Sequence, residues 1–330
     1  MPAVFWALLI LLVPLLSAFL YWQNSSLTVS QYEIPLDGLP EAFDGCRIVQ
    51  LSDLHNKRFG KRQKRLLARV AACKPDYIML TGDLADKRRT RDERFLPARE
   101  LCEGLIRIAP VFAAMGNHET EKKRVEKMSA VLQSCGAVVL VDKTAFLQRN
   151  GASLPVIGLA DIAVSEKRFG NRQGSFTHCA VLKELYRGAG EGCAILLSHR
   201  PHLVPIYRAA GVPLVLSGHA HGGQIRLPLV GGLLAPEQGL FPKYTSGMHK
   251  IGDVTLIISR GLGNSLFPFR IFNRPEVVCL RLVRKNDLFF HTSHVGYEEH
   301  SIYPFRGRRS GCHQQKPRNS KERPITQASS

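Results

Sequence analysis

Acidic residues are scarce in this 330-residue chain: 27 Asp+Glu stand against 45 Lys+Arg, a formal net charge of +18. A second long hydrophobic run is missing after the one at the start, which excludes a polytopic membrane protein. Cysteine occurs at 46, 73, 102, 135, 179, 193, 279 and 312, yet never as C-x-x-C, and most of the eight sit among apolar residues, as in Val70-Ala71-Ala72-Cys73. Such spacing reads as isolated thiols rather than a disulfide framework or a thiolate metal site, and it leans toward a reducing compartment. No internal repeat is visible, so collagen-like and repeat architectures are excluded. What remains is 45% apolar and 22% charged, an ordinary globular composition able to bury a core without staples. The length fits two domains or one large α/β domain with a tail.

Charge is absent altogether from Ala3 to Trp22, twenty residues broken only by Pro14 and Ser17. At 1.5 Å per residue, a helix of that length spans the roughly 30 Å hydrocarbon core. Met1-Pro2-Ala3 lacks the basic start of a secretory signal, and Phe19-Leu20-Tyr21-Trp22 suits an interfacial anchor better than a cleavage site. Residues 3–22 are therefore expected to be a retained single-pass membrane contact, a cleaved signal being the alternative. Orientation is weakly determined, because the first basic residue after the span is Arg47; cysteine usage tilts the expectation toward a cytoplasmic domain.

Two places concentrate positive charge. Residues 306–330 hold seven basic residues and one acidic, a net of +6 with almost no apolar side chains, and are expected to be disordered. Lys57, Arg58, Lys61, Arg62, Lys64 and Arg65 form the second cluster. It reads either as a solvated helix face or as an attractor of an anionic substrate or anionic lipid headgroups.

Between these ends, short apolar strands alternate with helical stretches. Strands are expected at 47–52, 76–81 and 111–115, and helices at 61–73, 92–108 and 121–134, a pattern that implies a mostly parallel sheet. Segments 144–149 and 154–159 flank Asn150-Gly151, a type I′ hairpin signal. Further strands are expected at 193–198, 213–217, 253–259 and 276–283. The predicted architecture is a single α/β sandwich of two sheets over about 45–300.

Five polar motifs end the predicted strands: Asp53-Leu54-His55, Gly82-Asp83, Gly116-Asn117-His118-Glu119, Ser198-His199 and Gly218-His219-Ala220-His221. Carboxyl ends of strands are where open α/β sheets place ligands. Asp53 and His55 are two apart, so near the end of an extended segment both should point to one side, and His219 and His221 repeat the spacing. The set offers two carboxylates, one amide oxygen and four imidazoles without a thiolate, a mixture suited to borderline divalent ions. Seven ligands are too many for one tetrahedral ion, so two metals are expected. Each motif alone is as readily a turn, a cap or a hydrogen-bonded histidine; their joint order is not.

That ordered set resembles the calcineurin-like metallophosphoesterase superfamily. The wider match of Ser52–Asn56 and Gly218–Ile225 is most similar to its membrane-anchored or exported bacterial YkuE-type branch. The resemblance covers roughly 45–285 and implies a four-layered αββα sandwich, here with an N-terminal transmembrane helix. It divides the chain into an anchor (1–24), a linker with a first strand (25–45), a phosphoesterase domain (46–300) and the basic tail (301–330). It also implies that Asp53, His55 and His221 hold a first divalent ion and Asn117, His199 and His219 a second, with Asp83 bridging. The ions, Mn, Zn or Fe, would activate a bridging hydroxide while His118 protonates the leaving oxygen or orients the phosphate. Glu119 stands where Asp is commoner and should still orient His118. His202 follows Arg200-Pro201 where this branch often has Asp, and could bond locally or support the site. Lys57, Arg58 and Arg226 are candidate phosphate contacts, or ordinary surface cations.

The expected activity is hydrolysis of a phosphodiester or pyrophosphate, possible substrates being phosphorylated small molecules and lipid-linked or cell-envelope phosphates. Phosphomonoesterase or protein phosphatase activity uses the same ligands. A non-catalytic basic membrane tether is the alternative outside enzymes, and no specific nucleic acid is expected.

Overall fold

The structure is a computed structural model that describes residues 2–88, 95–164, 170–264 and 267–285. The chain falls into two compact units, 1–296 and 297–330, and every described residue belongs to the first. The basic tail expected to be disordered, and Cys312 within it, lie outside the described residues.

The charge-free run forms α1 (Pro2–Ser25), an uncharged helix whose window from Val4 to Ser25 is long and hydrophobic enough to cross a bilayer. Beyond it, β1 (Thr28–Leu36), β2 (Arg47–Leu51), β3 (Tyr77–Thr81), β4 (Val111–Ala114) and β5 (Val138–Val139) build the first sheet. Their helices are α2 (Lys64–Ala72), α3 (Leu96–Leu105) and α4 (Lys122–Ser134). The second sheet begins with the hairpin β6 (Lys143–Arg149) and β7 (Ala152–Gly158). It continues through α5 (Asn171–Gly188), β8 (Ile195–Leu197), α6 (Val204–Ala210) and β9 (Leu214–Ser217). Four two-residue strands follow: β10 (Arg226–Leu227), β11 (Gly231–Gly232), β12 (Leu234–Ala235) and β13 (Gly239–Leu240). Then come β14 (Gly247–Ile251), β15 (Val254–Ile258) and β16 (Glu276–Arg284).

The two six-stranded sheets run β1-β16-β2-β3-β4-β5 and β14-β15-β9-β8-β7-β6. Strands β2 to β5 are parallel, as are β7, β8, β9 and β15. Parallel strands buried on both faces need continuous apolar sequence, and Tyr-Ile-Met-Leu-Thr of β3 is buried throughout. Alternate residues then serve opposite layers. Val49, Leu51, Ile78 and Leu80 meet α2 to α4, whereas Ile48, Met79, Phe112 and Leu280 face Leu197, Leu214, Leu216 and Ile257 of the other sheet. A third cluster joins Leu196, Val215 and Leu256 to Leu182 and Tyr207 of the outer helices. Three apolar interfaces make four layers, the αββα sandwich expected.

Local chemistry sets the boundaries. Asn150 and Gly151 both take positive φ (48° and 80°), as the two-residue hairpin requires. In α3, Ala98, Leu101, Cys102 and Leu105 form the buried stripe at i, i+3, i+4 and i+7. The helix expected over 61–73 starts as a 3₁₀ turn, Lys61–Gln63, before α2. All seven described cysteines are free thiols.

Candidate active site

Five strands of the two sheets deliver their carboxyl ends to one pocket. Gln50 of β2 donates to Ser217 O across the sandwich at 2.8 Å and to Thr81 Oγ1 at 3.1 Å. His199 Nδ1 lies 2.7 Å from Thr81 O, tying the loop after β8 to the end of β3. Gly218 N donates to His199 O, and the His219 N–H reaches Asp53 at 3.1 Å. These cross-sheet bonds close the gap into which the motif side chains turn.

Those side chains do not leave the strands by simple alternation. Asp53, His55, Asp83, His219 and His221 all have positive φ, between 47° and 65°. The strands stop at Leu51, Thr81 and Ser217, and a left-handed residue then swings each ligand inward. The shared side of Asp53 and His55 thus arises from turn backbone rather than from an extended segment.

Three buried groups result among the described residues, each with one ligand atom per residue inside 4.8 Å of the others. Asp53–His55–His221 and Asp83–His199–His219 hold expected ligands only, and His55–Asp86–His118 lies beside the first. Asp83 Oδ2 lies 3.1 Å from His199 Nε2 and 3.7 Å from His55 Nε2, between the first two groups. Asn117 Oδ1 and His219 Nδ1 approach His199 Nε2 to 3.1 and 3.2 Å. All seven residues expected as ligands therefore meet in one pocket. His55 Nε2 and His221 Nε2 stand 3.2 Å apart, with Asp53 Oδ1 3.4 Å from the latter. His199 Nδ1 gives a proton to Thr81 O. Burial would lower this imidazole, but Asp83 and Asp53 beside it raise it to about 10, so its Nε2 keeps a proton that a bound cation would displace. Buried acceptors crowded together without enough protons to share are a cation site by default.

The electrostatics agree. Burial holds His55 below and His221 well below the usual imidazole range, so both are neutral near pH 7. Burial would raise Asp53 and Asp83, but neighbouring imidazoles outweigh it and lower both, so the carboxylates are ionised. Neutral imidazole and ionised carboxylate are the states in which divalent ions are bound. The donor set of carboxylate, amide and imidazole fits borderline ions.

His118 closes one side. Its ring packs edge-on to His55 at 4.7 Å, its Nδ1 accepts the Lys87 N–H at 3.2 Å, and Asp86 Oδ1 is 3.3 Å away. Burial pushes His118 down to about 4. Glu119 does other work than orienting this histidine: its carboxylate accepts the N–H groups of Asp83, Ala85 and Gly116 at 3.0, 3.1 and 3.0 Å. It pins two ligand loops together, and burial beside Asp83 raises it to about 7.

The three candidate phosphate cations are engaged elsewhere. Lys57 Nζ donates to Asn24 O, at 2.5 Å, on the last turn of α1. Arg58 pairs with Glu100 at 3.1 Å in solvent. Arg226 donates to Gly222 O at 3.0 Å and Ser246 Oγ at 2.8 Å.

Four contributors escaped sequence reasoning. Asp86 stands three residues after Asp83, a spacing that gave a signal in hindsight. Glu237, in the segment of two-residue strands, lies 3.3 Å from His219 Nε2 and 3.4 Å from His202 Nε2, and is also ion-paired with Arg200. Buried Arg200 is clamped bidentately by Asp161 at 2.7 and 2.9 Å. Nothing in the linear pattern ties residues 161, 200 and 237 together.

Three relatives are similar to this chain over most of its length. The metallophosphoesterase YkuE of Bacillus subtilis is 27% identical over 272 residues, 81% of this chain and 89% of its own length. The phosphodiesterase YaeI of Escherichia coli is 29% identical, over 72% of this chain and 82% of its own. A transmembrane protein with metallophosphoesterase domain from Danio rerio is 31% identical over 77% of this chain, which spans only 57% of that longer protein. The calcineurin-like phosphoesterase family profile matches residues 46–223, the stretch that carries all five motifs. The chain is thus a member of the calcineurin-like phosphoesterase family, and a phosphoester hydrolase of its YkuE-type branch.

Proposed function

We propose that this protein is a membrane-anchored hydrolase of phosphodiesters or pyrophosphates, acting on a phosphate carried by a lipid or a cell-envelope precursor. The observation that carries the reading is the pair of buried ligand groups sharing one pocket, with Asp83 between them. Asp53, His55 and His221 would hold one divalent ion and Asn117, His199 and His219 the other, with Asp83 touching both; Mn, Zn or Fe suits the donors. Ions so held supply a water of lowered pKa and positive charge opposite the phosphate oxygens.

The chain's own acid is His118. Because Nδ1 accepts the Lys87 N–H, the proton of the neutral ring sits on Nε2; Asp86 Oδ1, 3.3 Å from the same Nδ1, would accept from it only when the ring is doubly protonated. Burial leaves the ring neutral near pH 7, so its Nε2–H would orient the phosphate or the departing oxygen by a hydrogen bond. Full proton transfer, worth about 10²–10⁴-fold, needs the imidazolium that Asp86 and a bound phosphate's charge favour. The name of the Escherichia coli relative supports diesters over monoesters, and the length and hydropathy of α1 support the anchor.

In full-length protein in detergent, Asp83→Asn is expected to abolish divalent-metal-dependent hydrolysis of bis(p-nitrophenyl) phosphate with an unchanged far-UV circular dichroism spectrum. Wild-type turnover in that variant would remove the shared-carboxylate assignment. Faster hydrolysis of p-nitrophenyl phosphate than of the diester would make the enzyme a phosphomonoesterase. A lipid diester in vesicles hydrolysed no faster than its soluble headgroup analogue would remove the lipid-linked substrate.

A further inference from the structure

The last turn of α1 carries no basic residue, so its terminal carbonyls need donors from elsewhere. The phosphoesterase domain provides them: Lys57 donates to Asn24 O at 2.5 Å and Arg65 to Ser25 O at 3.0 Å. Asn264 Nδ2 donates to Asn24 Oδ1 at 2.8 Å, and the Arg274 guanidinium stacks over Trp22 at 4.8 Å. The helix end is therefore seated on the domain, beside Asn264 and residues 267–274.

One contact fixes depth. The Phe272 ring packs edge-on against Phe19 at 5.8 Å. Phe19 lies three residues inside Trp22, roughly 4–5 Å further into the span at 1.5 Å per residue. With Tyr21 and Trp22 at the interface, where such rings partition, Phe272 is at or below the headgroup level. Phe267, Phe269 and Phe272 are nonetheless 41%, 44% and 56% exposed to solvent. Phe267 and Phe269 also wall a crevice that ends on His221 and Arg270. Next to them, the bridge between Ile225 and Ile271 brings in the β10–β13 segment, whose Leu229 and Phe241 are exposed too. Most of the exposed large apolar side chains outside α1 belong to these two segments, and apolar patches of that kind mark contact surfaces. Exposed Lys61 and Lys64 complete a basic margin near the end of the helix.

We propose that this aromatic rim docks into the headgroup–acyl boundary of the leaflet that α1 leaves, so that the metal-ligand pocket opens onto the bilayer surface. The occupant is the membrane interface, because the surface is continuous with α1 and a neighbouring ring already lies alongside the span. The inference rests on α1 crossing the membrane.

The test uses full-length chain reconstituted in phosphatidylcholine–phosphatidylglycerol vesicles, with and without lipids brominated near the top of the acyl chains. In wild type, Trp6 and Trp22 report insertion of the helix. In a Trp6→Phe, Trp22→Phe background, Phe269→Trp supplies a single probe on the rim and Phe146→Trp one on the edge strand β6. Phe272→Trp replaces the first if it fails to fold. The rim probe is expected to be quenched roughly twofold, as for a side chain buried about 5–10 Å into the boundary, and the β6 probe not at all. Quenching in wild type but not at 269 or 272 would overturn the docking and leave the anchor standing. Unquenched wild type would overturn both. A dimer in detergent that Phe267→Ser, Phe269→Ser and Phe272→Ser together dissolve, with the rim probe dark to bromine, would assign the surface to a second copy and overturn the membrane contact.

Discussion

Asp53, His55, Asp83, His219 and His221 sit in left-handed backbone that costs a residue with a Cβ of order 1 kcal/mol. Asp and His tolerate it better than branched residues, and the benefit is a side chain turned back over the strand end. The glycines beside them answer a different need. Gly116 and Gly218 have ordinary φ, but a Cβ on Gly116 would fall on Asp83 Oδ1, and one on Gly218 on Ser52 Oγ and Asp53 Oδ2. Their role is close approach. Gly218→Ala is therefore expected to push Asp53 out of place, costing about 1–3 kcal/mol of stability as overpacking does. Diester turnover should fall about 10²-fold, the penalty of displacing a reacting group by about an ångström. Gly188→Ala on α5, where nothing lies within 4 Å of the added carbon, serves as the control in urea unfolding and turnover assays. Equal behaviour of the two variants would refute the argument.

The elements legible in the sequence are those whose environment imposes a period. β3, β4, β9 and β15 are buried throughout and mostly apolar because both faces are covered. β2 departs from that only at exposed Arg47 and buried Gln50, and α3 shows its buried stripe in the residue order. β10 to β13 escaped notice because two-residue strands have no period to read. β14, with its half-exposed Gly-Met-His-Lys-Ile, alternates too weakly, and α5 buries Cys179, Leu182 and Tyr186 within an otherwise polar run. Position within an element also separates stability from chemistry. Gln50, fully buried in β2, bonds across to Ser217 O at the floor of the pocket, whereas Leu101, equally buried, packs α3 onto the outer face. Gln50→Leu removes a buried donor and should cost about 1–3 kcal/mol. Leu101→Ala leaves a cavity and should cost about 2–5 kcal/mol. Only the first should lower kcat per folded molecule, measured against active-site titre; an unchanged kcat in Gln50→Leu would show that the cross-sheet bond does not shape the pocket.

At the scale of the whole molecule, the seven candidate ligand positions that the fold brings into one pocket were legible because their residue types are chemically unusual at strand ends. The partnership of the sheets was not, since register and order depend on contacts between residues more than a hundred positions apart, such as His199 with Thr81. For the same reason Lys57 read as a phosphate contact when it holds a helix end, and Asp161, Arg200 and Glu237 went unseen. The division of ligands has a mechanical consequence. Asp53, His55, Asp83 and Asn117 follow strands of one sheet, and His199, His219 and His221 follow strands of the other. Divalent ions bound there would staple the two halves of the sandwich at their open end, where carboxylates and imidazoles otherwise crowd together. An ion held at a hundredfold its Kd adds about 2.7 kcal/mol to the folded state. For a domain of this size, each occupied site should raise Tm by roughly 5–10 °C. Chelation with EDTA in detergent should lower Tm by that amount for each ion removed, and Mn²⁺ should restore it in wild type. Asp83→Asn, which weakens the carboxylate between both groups, should recover only part of the shift. Calorimetry that finds the same Tm before and after chelation would mean that the pocket, for all its convergent lone pairs, does not bind ions strongly enough to join the sheets.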